Sequence, residues 1–168
     1  MKKVFLKKRF RKLLIESENS RVVSKNEIKT VGIISSDEIT NWINLKEEVQ
    51  TILGVEDVEI YSYRPFKKKD KASLSHFTEK DISWKGEIKK PHFNAFLEKP
   101  FDLLIGYFNK ENLYNQFSVL KSKATFKTGI SKVNQDLYDL EISEYPTNTD
   151  GFLLELKKYL LILKKLKN

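Results

Sequence analysis

A strand–helix–strand pattern across residues 28–63 constrains the fold of this chain more than any other feature. The segment IKTVGII (28–34) is rich in β-branched residues and predicts a buried strand. Apolar residues at helical spacing follow from Ile39 to Leu53, and VEIYSY (58–63) predicts a second strand. Two strands joined by a crossover helix pair in parallel with a right-handed connection. This unit therefore places the chain in the α/β class.

The second half of the chain repeats this alternation of strands and helices. FDLLIGYF (101–108) is typical of a strand that is buried on both faces, and ENLYNQFSVLKSKA (111–124) predicts a helix. TFKTGIS (125–131) and YDLEIS (138–143) predict two further strands. The pattern of apolar residues is less regular over residues 66–100. The segments SLSHF and ISWKGEI predict either a hairpin or irregular edge strands. The segment HFNAFLEK, which follows them, predicts a turn of helix.

The C-terminal segment TNTDGFLLELKKYLLILKKLKN (147–168) predicts a helix capped by Thr149 or Asp150. Its apolar stripe is broad, which predicts two neighbours, the sheet and the N-terminal helix. Lys157 and Lys158 interrupt the apolar run, so we expect this helix to be too short to span a bilayer.

A length of 168 residues fits one domain. We therefore expect residues 26–168 to form a single three-layer, Rossmann-like α/β domain with a mostly parallel sheet. Residues 1–25 are expected to form a basic helical arm docked on that domain. Within the arm, Leu6, Phe10 and Leu13 recur at helical spacing and predict a helix over residues 2–18 with one apolar stripe.

The basic residues of the chain are concentrated in this arm. Residues 1–25 carry nine Lys or Arg residues against two Glu residues, a net charge of +7, whereas the other 143 residues carry 22 against 21. Such an arm favours anionic partners. The nucleic-acid contacts that we predict are Lys2, Lys3, Lys7, Lys8, Arg9, Arg11 and Lys12, extended by Lys67, Lys68 and Lys69 of an exposed basic loop.

Three interpretations of the arm stay open: contact with RNA or a ribonucleoprotein, including the ribosome; contact with an anionic membrane surface; and the solvated face of a helix that only completes the fold. An export signal needs an apolar run of about 7–15 residues, and the arm has runs of three, so we expect a cytoplasmic protein. We favour a non-enzymatic binding protein for RNA. The sequence predicts no oligomeric state.

A second candidate site lies where the strands of a parallel sheet end, because ligands of open α/β sheets bind beyond the carboxyl ends of the strands. The residues that we place there are Ser35, Ser36, Asp37 and Asn109. Ser35 and Glu38 also have the spacing of a capping box for the following helix. This crevice supports an alternative function, a degenerate Rossmann-like enzyme or ligand-binding domain for a phosphorylated or nucleotide-sugar compound.

The sequence contains no signature of catalysis. There is no cysteine, and His76 and His92 stand alone without a metal or nucleophile motif. We therefore name no catalytic residue, no metal site and no cofactor. Asp81, Trp84 and Gly86 predict a turn with an aromatic anchor.

Several segments resemble a small uncharacterised protein family of Bacteroidota bacteria. They are DISWKG (81–86), the stretch from Phe101 to Ser131, YDLEIS and KKYLLILKKL (157–166). The resemblance implies a fold but no reaction. The stretch from residue 101 is also similar to the N-terminal half of heptosyltransferase-like glycosyltransferases, with Asp102 and a reversed Gly129-Ile130 pair in comparable places. Those enzymes bind the nucleotide sugar in a second half, for which 168 residues leave no room, so this likeness implies the fold only.

Overall fold

Parallel strands alternate with helices along most of the chain. The computed structural model describes residues 1–22, 24–108, 111–131 and 136–167. The elements in these ranges are α1 (Lys2–Ser20), β1 (Thr30–Ser36), α2 (Asp37–Thr40), α3 (Leu45–Leu53), β2 (Asp57–Tyr63), β3 (His76–Phe77), a 3₁₀ turn (Glu79–Asp81), α4 (Pro91–Glu98), β4 (Leu103–Tyr107), α5 (Leu113–Lys121), β5 (Lys127–Ile130), β6 (Leu140–Ile142) and α6 (Thr149–Ile162). None of these helices is long and apolar enough to cross a membrane.

The strands form one six-stranded sheet in the order β3-β2-β1-β4-β5-β6. Every pairing between them is parallel, with Val31 of β1 opposite Val58 of β2 and Leu103 of β4. This is the strand order of doubly wound dinucleotide-binding folds, in which the order of the strands reverses between the first and the fourth strand. The predicted three-layer Rossmann-like class is confirmed.

Helices cover both faces of the sheet and create two separate cores. One core joins α3 and α6 to the sheet through residues such as Val49 and Leu156. The other joins α1, α4 and α5 through residues such as Phe10, Phe93 and Phe117. The prediction that α6 packs against the N-terminal helix is wrong, because α6 packs on α3 and α1 lies on the opposite face of the sheet beside α5.

The connection between β1 and β2 also differs from the prediction. Instead of one helix, α2 has four residues and α3 begins anew at Leu45, with the Asn44 side chain accepting a hydrogen bond from the Glu47 N–H. The predicted capping box of Ser35 and Glu38 is wrong: Ser36 is the N-cap residue, and its side chain makes no capping bond. Helix α6 is capped by Asn148, which accepts from the Gly151 N–H, and not by Thr149 or Asp150.

The middle of the chain extends the sheet without a hairpin between the two predicted segments. Strand β3 pairs in parallel with β2, at His76 opposite Ser62. Residues 82–88 instead form their own turn, closed by an antiparallel bridge between Ile82 and Ile88. Gly86 in this turn has φ of +85°, and a side chain there would overlap Phe117 of α5. The predicted helical turn after Pro91 is the full helix α4.

Two glycines on neighbouring strands make room for one buried tyrosine. Gly106 of β4 and Gly129 of β5 are paired in register, and the Tyr138 ring covers both. A methyl group at Gly106 would overlap chiefly the Tyr138 hydroxyl oxygen, whereas at Gly129 it would overlap the ring carbons. The Tyr138 hydroxyl is buried and has no hydrogen-bond partner.

We expect Gly106→Ala and Gly129→Ala each to lower the free energy of unfolding by about 1–3 kcal/mol, the usual cost of overpacking a core. Adding Tyr138→Phe to Gly106→Ala restores part of the lost stability, because it removes the hydroxyl oxygen nearest to the new methyl group. Adding it to Gly129→Ala restores none, because the overlapping ring carbons remain. Urea denaturation of the single and double variants measures this. Equal rescue at both positions, or at neither, contradicts the described packing.

Candidate functional site

Helix α1 is held on the domain by its apolar stripe. The Leu6 side chain is 0% exposed and that of Phe10 is 6% exposed, and both belong to the core between the sheet, α4 and α5. Leu13 and Leu14 pack at its border. The stripe predicted from sequence is therefore the surface that docks, and the opposite side of α1 faces solvent.

A lysine anchors the first turn of this helix. Lys2 Nζ donates a hydrogen bond to the backbone carbonyl of Glu79, which precedes the Gly86 turn. Burial, and then the nearby charge of Lys89, lower the pKa of Lys2 below its ordinary value. Lys2 thus has a structural partner, in contrast to the other basic residues that we predicted as contacts on this helix.

An arginine anchors the chain just after α1. Arg21 donates to the carbonyl of Asp136 at 3.0 Å and to that of Tyr138 at 3.2 Å, and its Nε lies 3.5 Å from the Asp139 carboxylate. The same carboxylate accepts the Lys127 backbone N–H at 2.9 Å. Arg21 therefore fastens the end of the arm to β5 and to the start of β6.

The outer face of α1 carries six exposed cations. They are Lys3, Lys7, Lys8, Arg9, Arg11 and Lys12. Three of them border a groove of about 560 Å³ between α1 and the Gly86 turn. The residues that line this groove are Phe5, Lys8, Arg9, Lys12, Trp84, Lys85, Gly86, Glu87 and Lys121.

Two large aromatic side chains lie exposed in this groove. Phe5 and Trp84 are 48% and 52% exposed, and their ring centroids are 5.6 Å apart at an interplanar angle of 59°. Lys85 Nζ lies 5.2 Å from the centre of the Trp84 ring. We call Phe5 and Trp84 the aromatic pair. The sequence predicts Trp84 as the aromatic anchor of a turn but does not predict this pairing, because Phe5 and Trp84 are far apart in the chain.

The basic loop begins beside the first turn of α1. The Glu79 carboxylate accepts the Phe66 backbone N–H at 3.1 Å, while the Glu79 carbonyl accepts Lys2. Lys67, Lys68 and Lys69 follow Phe66 and are exposed. The arm and the loop therefore meet at Glu79.

The crevice predicted at the strand ends exists as a cavity of about 360 Å³. It lies beyond β1 and β4, where the strand order reverses. Its lining consists of Ser36, Asp37, Glu38, Tyr63, Pro65, Phe108, Glu111, Asn112 and Asn115. Ser35 is not part of this lining, since it is buried in the sheet and donates to the Tyr107 carbonyl. Asn109 lies outside the described residues.

Two polar side chains of this cavity are buried without a hydrogen-bond partner. They are the Ser36 hydroxyl, in a residue 6% exposed, and both amide atoms of Asn115, which is 0% exposed. Leaving such a group unpaired costs about 1–3 kcal/mol, and buried groups of this kind are usually paired with protein, ordered water or a ligand. Asp37 differs, because its carboxylate lies 2.7 Å from His76 Nε2. Nothing in the sequence marks Asn115 as a site residue, since it is one of several polar residues on α5.

The remaining residues singled out from sequence have structural partners. The Asp102 carboxylate accepts the backbone N–H groups of Lys29 and Thr30 at the opposite end of the sheet from the crevice. His92 Nδ1 forms a hydrogen bond with the Tyr61 hydroxyl. In the described part of the chain, no group of three or more His, Asp or Glu side chains is arranged to hold a metal ion.

A family model described as a family of unknown function, DUF6913, matches residues 2–163. No curated protein and no solved structure matches the chain significantly. The match includes α1, the sheet and all of α6.

Docking of α1 predicts that substitutions on its buried face lower stability much more than substitutions on its exposed face. We expect Phe10→Ala to lower the free energy of unfolding by about 3 kcal/mol or more, because it empties a core position. Ile15→Ala, on the same helix and 60% exposed, serves as the control and is expected to change stability by about 0.5 kcal/mol or less. Urea denaturation followed by circular dichroism measures both. Equal effects of the two variants contradict a docked α1.

Lys127, beside the Arg21 anchor, predicts a pH effect on stability. Burial lowers the pKa of Lys127 from 10.5 to about 8, against the opposing effect of Asp139. Between about pH 8 and 10.5 the unfolded chain holds this proton and the folded chain does not, so stability rises with pH across that window. We expect Lys127→Met to stabilise the fold at pH 7 by about 1–3 kcal/mol and to remove the rise. Thermal unfolding of both proteins from pH 7 to 10 measures it; identical pH profiles contradict the assignment.

Proposed function

We propose that this chain, which belongs to the family of unknown function DUF6913, is a non-enzymatic protein that binds single-stranded RNA through the outer face of α1. The observation that carries this proposal is the exposed aromatic pair in a groove lined by cations. These cations are Lys8, Arg9 and Lys12 of α1, Lys85 of the Gly86 turn and Lys121 of α5, and Glu87 is the one acidic residue among the described residues of the lining.

The chemistry of this groove matches that of an unpaired nucleotide. Proteins that bind single strands combine a cationic groove for the phosphates with aromatic rings on which bases stack, and each stacked base contributes about 1–3 kcal/mol. Arg9 offers a planar guanidinium that forks onto phosphate oxygens or stacks on a base. Trp84 is 52% exposed, so much of its ring surface is accessible to a base.

A single strand fits better than a duplex or a membrane. Bases in a duplex are stacked on one another and offer no face to the aromatic pair, whereas bases in loops and ends do. An amphipathic helix enters a membrane through its apolar stripe. In α1 that stripe is occupied, because Leu6 and Phe10 are buried in the protein.

The loop at Lys67, Lys68 and Lys69 extends the same cationic surface past Glu79 and favours an RNA longer than the groove itself. A structured RNA with an exposed single-stranded segment, as in a ribonucleoprotein or the ribosome, is the partner class that this extension suits. The proposal keeps the cytoplasmic location predicted from the sequence.

The test uses the two tryptophans of the chain as a matched pair. Trp84 is 52% exposed in the groove, and Trp42 is 55% exposed on the other face of the sheet, where its Nε1 donates to the Glu38 carbonyl. We expect Trp84→Ala to weaken binding of a 12-nucleotide oligouridine about tenfold, the loss of roughly one stacked base. Trp42→Ala is expected to leave it unchanged. Fluorescence anisotropy of the labelled RNA measures both affinities.

The salt dependence tests the charges separately. Each lysine that meets a phosphate of a single strand contributes about 0.7 to the slope of log affinity against log salt. We expect Lys8→Gln and Lys12→Gln each to reduce the slope by about that amount, and Lys46→Gln, exposed on the Trp42 side, to leave it unchanged. Equal losses from the two tryptophan variants, tighter binding of duplex RNA, or binding of phosphatidylglycerol vesicles without binding of RNA would each overturn the proposal.

A further inference from the structure

A further cavity, of about 410 Å³, lies beside the basic loop. Its lining comes from several residues of the segment 64–73, from β3 and the 3₁₀ turn that follows it, and from Lys90 before α4. Phe66 in this lining donates its backbone N–H to the Glu79 carboxylate at 3.1 Å, and the Glu79 carbonyl accepts Lys2 of α1. The cavity, which we call the loop cavity, therefore adjoins the point where the arm and the basic loop meet.

Cations outnumber carboxylates around the loop cavity. Among the described residues of its lining, the Lys, Arg, Asp and Glu side chains are Arg64, Lys67, Lys71, Lys90, Asp70 and Asp81. The Asp81 carboxylate is already engaged, since it accepts the Thr78 backbone N–H at 2.8 Å and caps the 3₁₀ turn. In the described part of the chain, none of the four cations forms an ion pair with a carboxylate. The local charge therefore favours an anionic ligand.

Two of the cations are held in place by backbone carbonyls. Arg64 Nη2 donates to the Lys71 carbonyl at 2.7 Å. Lys90 Nζ donates to the carbonyls of Ser73 and His76. An ammonium has three N–H donors and a guanidinium has five, so these bonds leave each cation with donors for a ligand. Because the protein fixes both side chains in advance, binding of an anion loses less free energy to their ordering.

The two anchored cations also lie close enough to repel each other. Burial lowers the pKa of Lys90 below its ordinary value, the Asp81 carboxylate opposes this effect, and Arg64 lowers the pKa further. An anion bound by both cations would offset their repulsion and part of the cost of burying their charge. The electrostatics of the cavity therefore favour its anion-bound state.

A terminal phosphate group matches this arrangement better than a phosphate inside an RNA chain. A phosphate monoester carries a charge of about −1.5 to −2 at pH 7 and three acceptor oxygens, whereas each internal phosphodiester carries a single negative charge. A guanidinium forks onto two phosphate oxygens, and ammonium groups add point charges. Phe66 is 42% exposed, so part of its ring surface is accessible to the base next to that phosphate.

We infer that the loop cavity binds the terminal phosphate of the RNA that is held in the groove between α1 and the Gly86 turn. This inference rests on the proposed function and names the part of the RNA that is recognised. It also separates the lysines of the basic loop into two groups. Lys67 and Lys71 line the cavity, whereas Lys68 and Lys69 are exposed outside its lining.

Competition against a labelled oligouridine tests the inference. The competitors are three unlabelled oligouridines of equal length, one with a 5′-phosphate, one with a 3′-phosphate and one with hydroxyl groups at both ends. We expect one of the phosphorylated RNAs to bind about tenfold more tightly than the RNA with hydroxyl ends, as for added charge-assisted hydrogen bonds. Equal affinities of all three overturn the inference and leave the proposed function standing. Absence of binding by all three overturns the proposed function and this inference with it.

Matched variants of the basic loop locate the effect. Lys71→Gln and Lys67→Gln are each expected to reduce the preference for the phosphorylated RNA about threefold, the size of one exposed charge pair. The Lys71 contact with Arg64 uses the backbone carbonyl, which the variant retains. Lys69→Gln, exposed in the same loop but outside the lining, is expected to leave the preference unchanged. Equal loss of preference in Lys69→Gln and Lys71→Gln would indicate a general effect of charge and overturn the cavity site.

Two further controls separate the cavity from the groove and from free ligands. Trp84→Ala is expected to weaken binding of all three RNAs alike and to keep the preference; loss of the preference would place the phosphate at the groove and overturn the inference. In isothermal titration, uridine 5′-monophosphate and inorganic phosphate are expected to bind more weakly than phosphorylated RNA by about a hundredfold or more, since they lack the second contact at the groove. A mononucleotide that binds as tightly as the phosphorylated RNA would assign the cavity to a small molecule and equally overturn the inference.

Discussion

The docking of α1 through Leu6 and Phe10 is the contact on which the proposed function depends. These two side chains join the core formed by α4, α5 and one face of the sheet. Because they face inward, the helix must present its cations outward, and Phe5 is brought against Trp84. Lys2 and Arg21 hold the two ends of the helix, so the orientation of the outer face is defined along its whole length. An undocked arm would carry the same charge without the aromatic pair.

The two faces of the sheet have different roles in this arrangement. The α1 side supplies the cationic groove, which depends on the Gly86 turn and its close approach to Phe117. The α3 and α6 side is a core of aliphatic and aromatic residues that completes the domain. Between them, the strand order opens the cavity that contains Asn115.

Much of the fold can be predicted from the sequence because its strong signals are local. The β-branched runs at β1 and β2, the apolar run at β4 and the helical spacing of α1 each indicate their element directly. The break between α2 and α3 cannot be recognised in the same way, because apolar spacing continues from Ile39 through Leu53 across the polar Asn44 cap. The parallel strand β3 has two residues and no periodicity, so its pairing with β2 is fixed by tertiary contacts alone.

The candidate sites, too, can be predicted from the sequence only where their signals are local. Charge counting places the cations on α1, and the strand-end rule places Ser36 and Asp37 at the crevice. Neither predicts that Lys2 donates to the Glu79 carbonyl, that Phe5 contacts Trp84, or that Asn115 of α5 borders the same cavity, since each depends on contacts between distant parts of the chain. Ultraviolet cross-linking of the full chain to oligouridine, with the cross-linked peptides mapped by mass spectrometry, would locate the RNA contact. We expect cross-links at Phe5 and Trp84. Cross-links confined to the α3 and α6 side of the sheet would contradict this expectation.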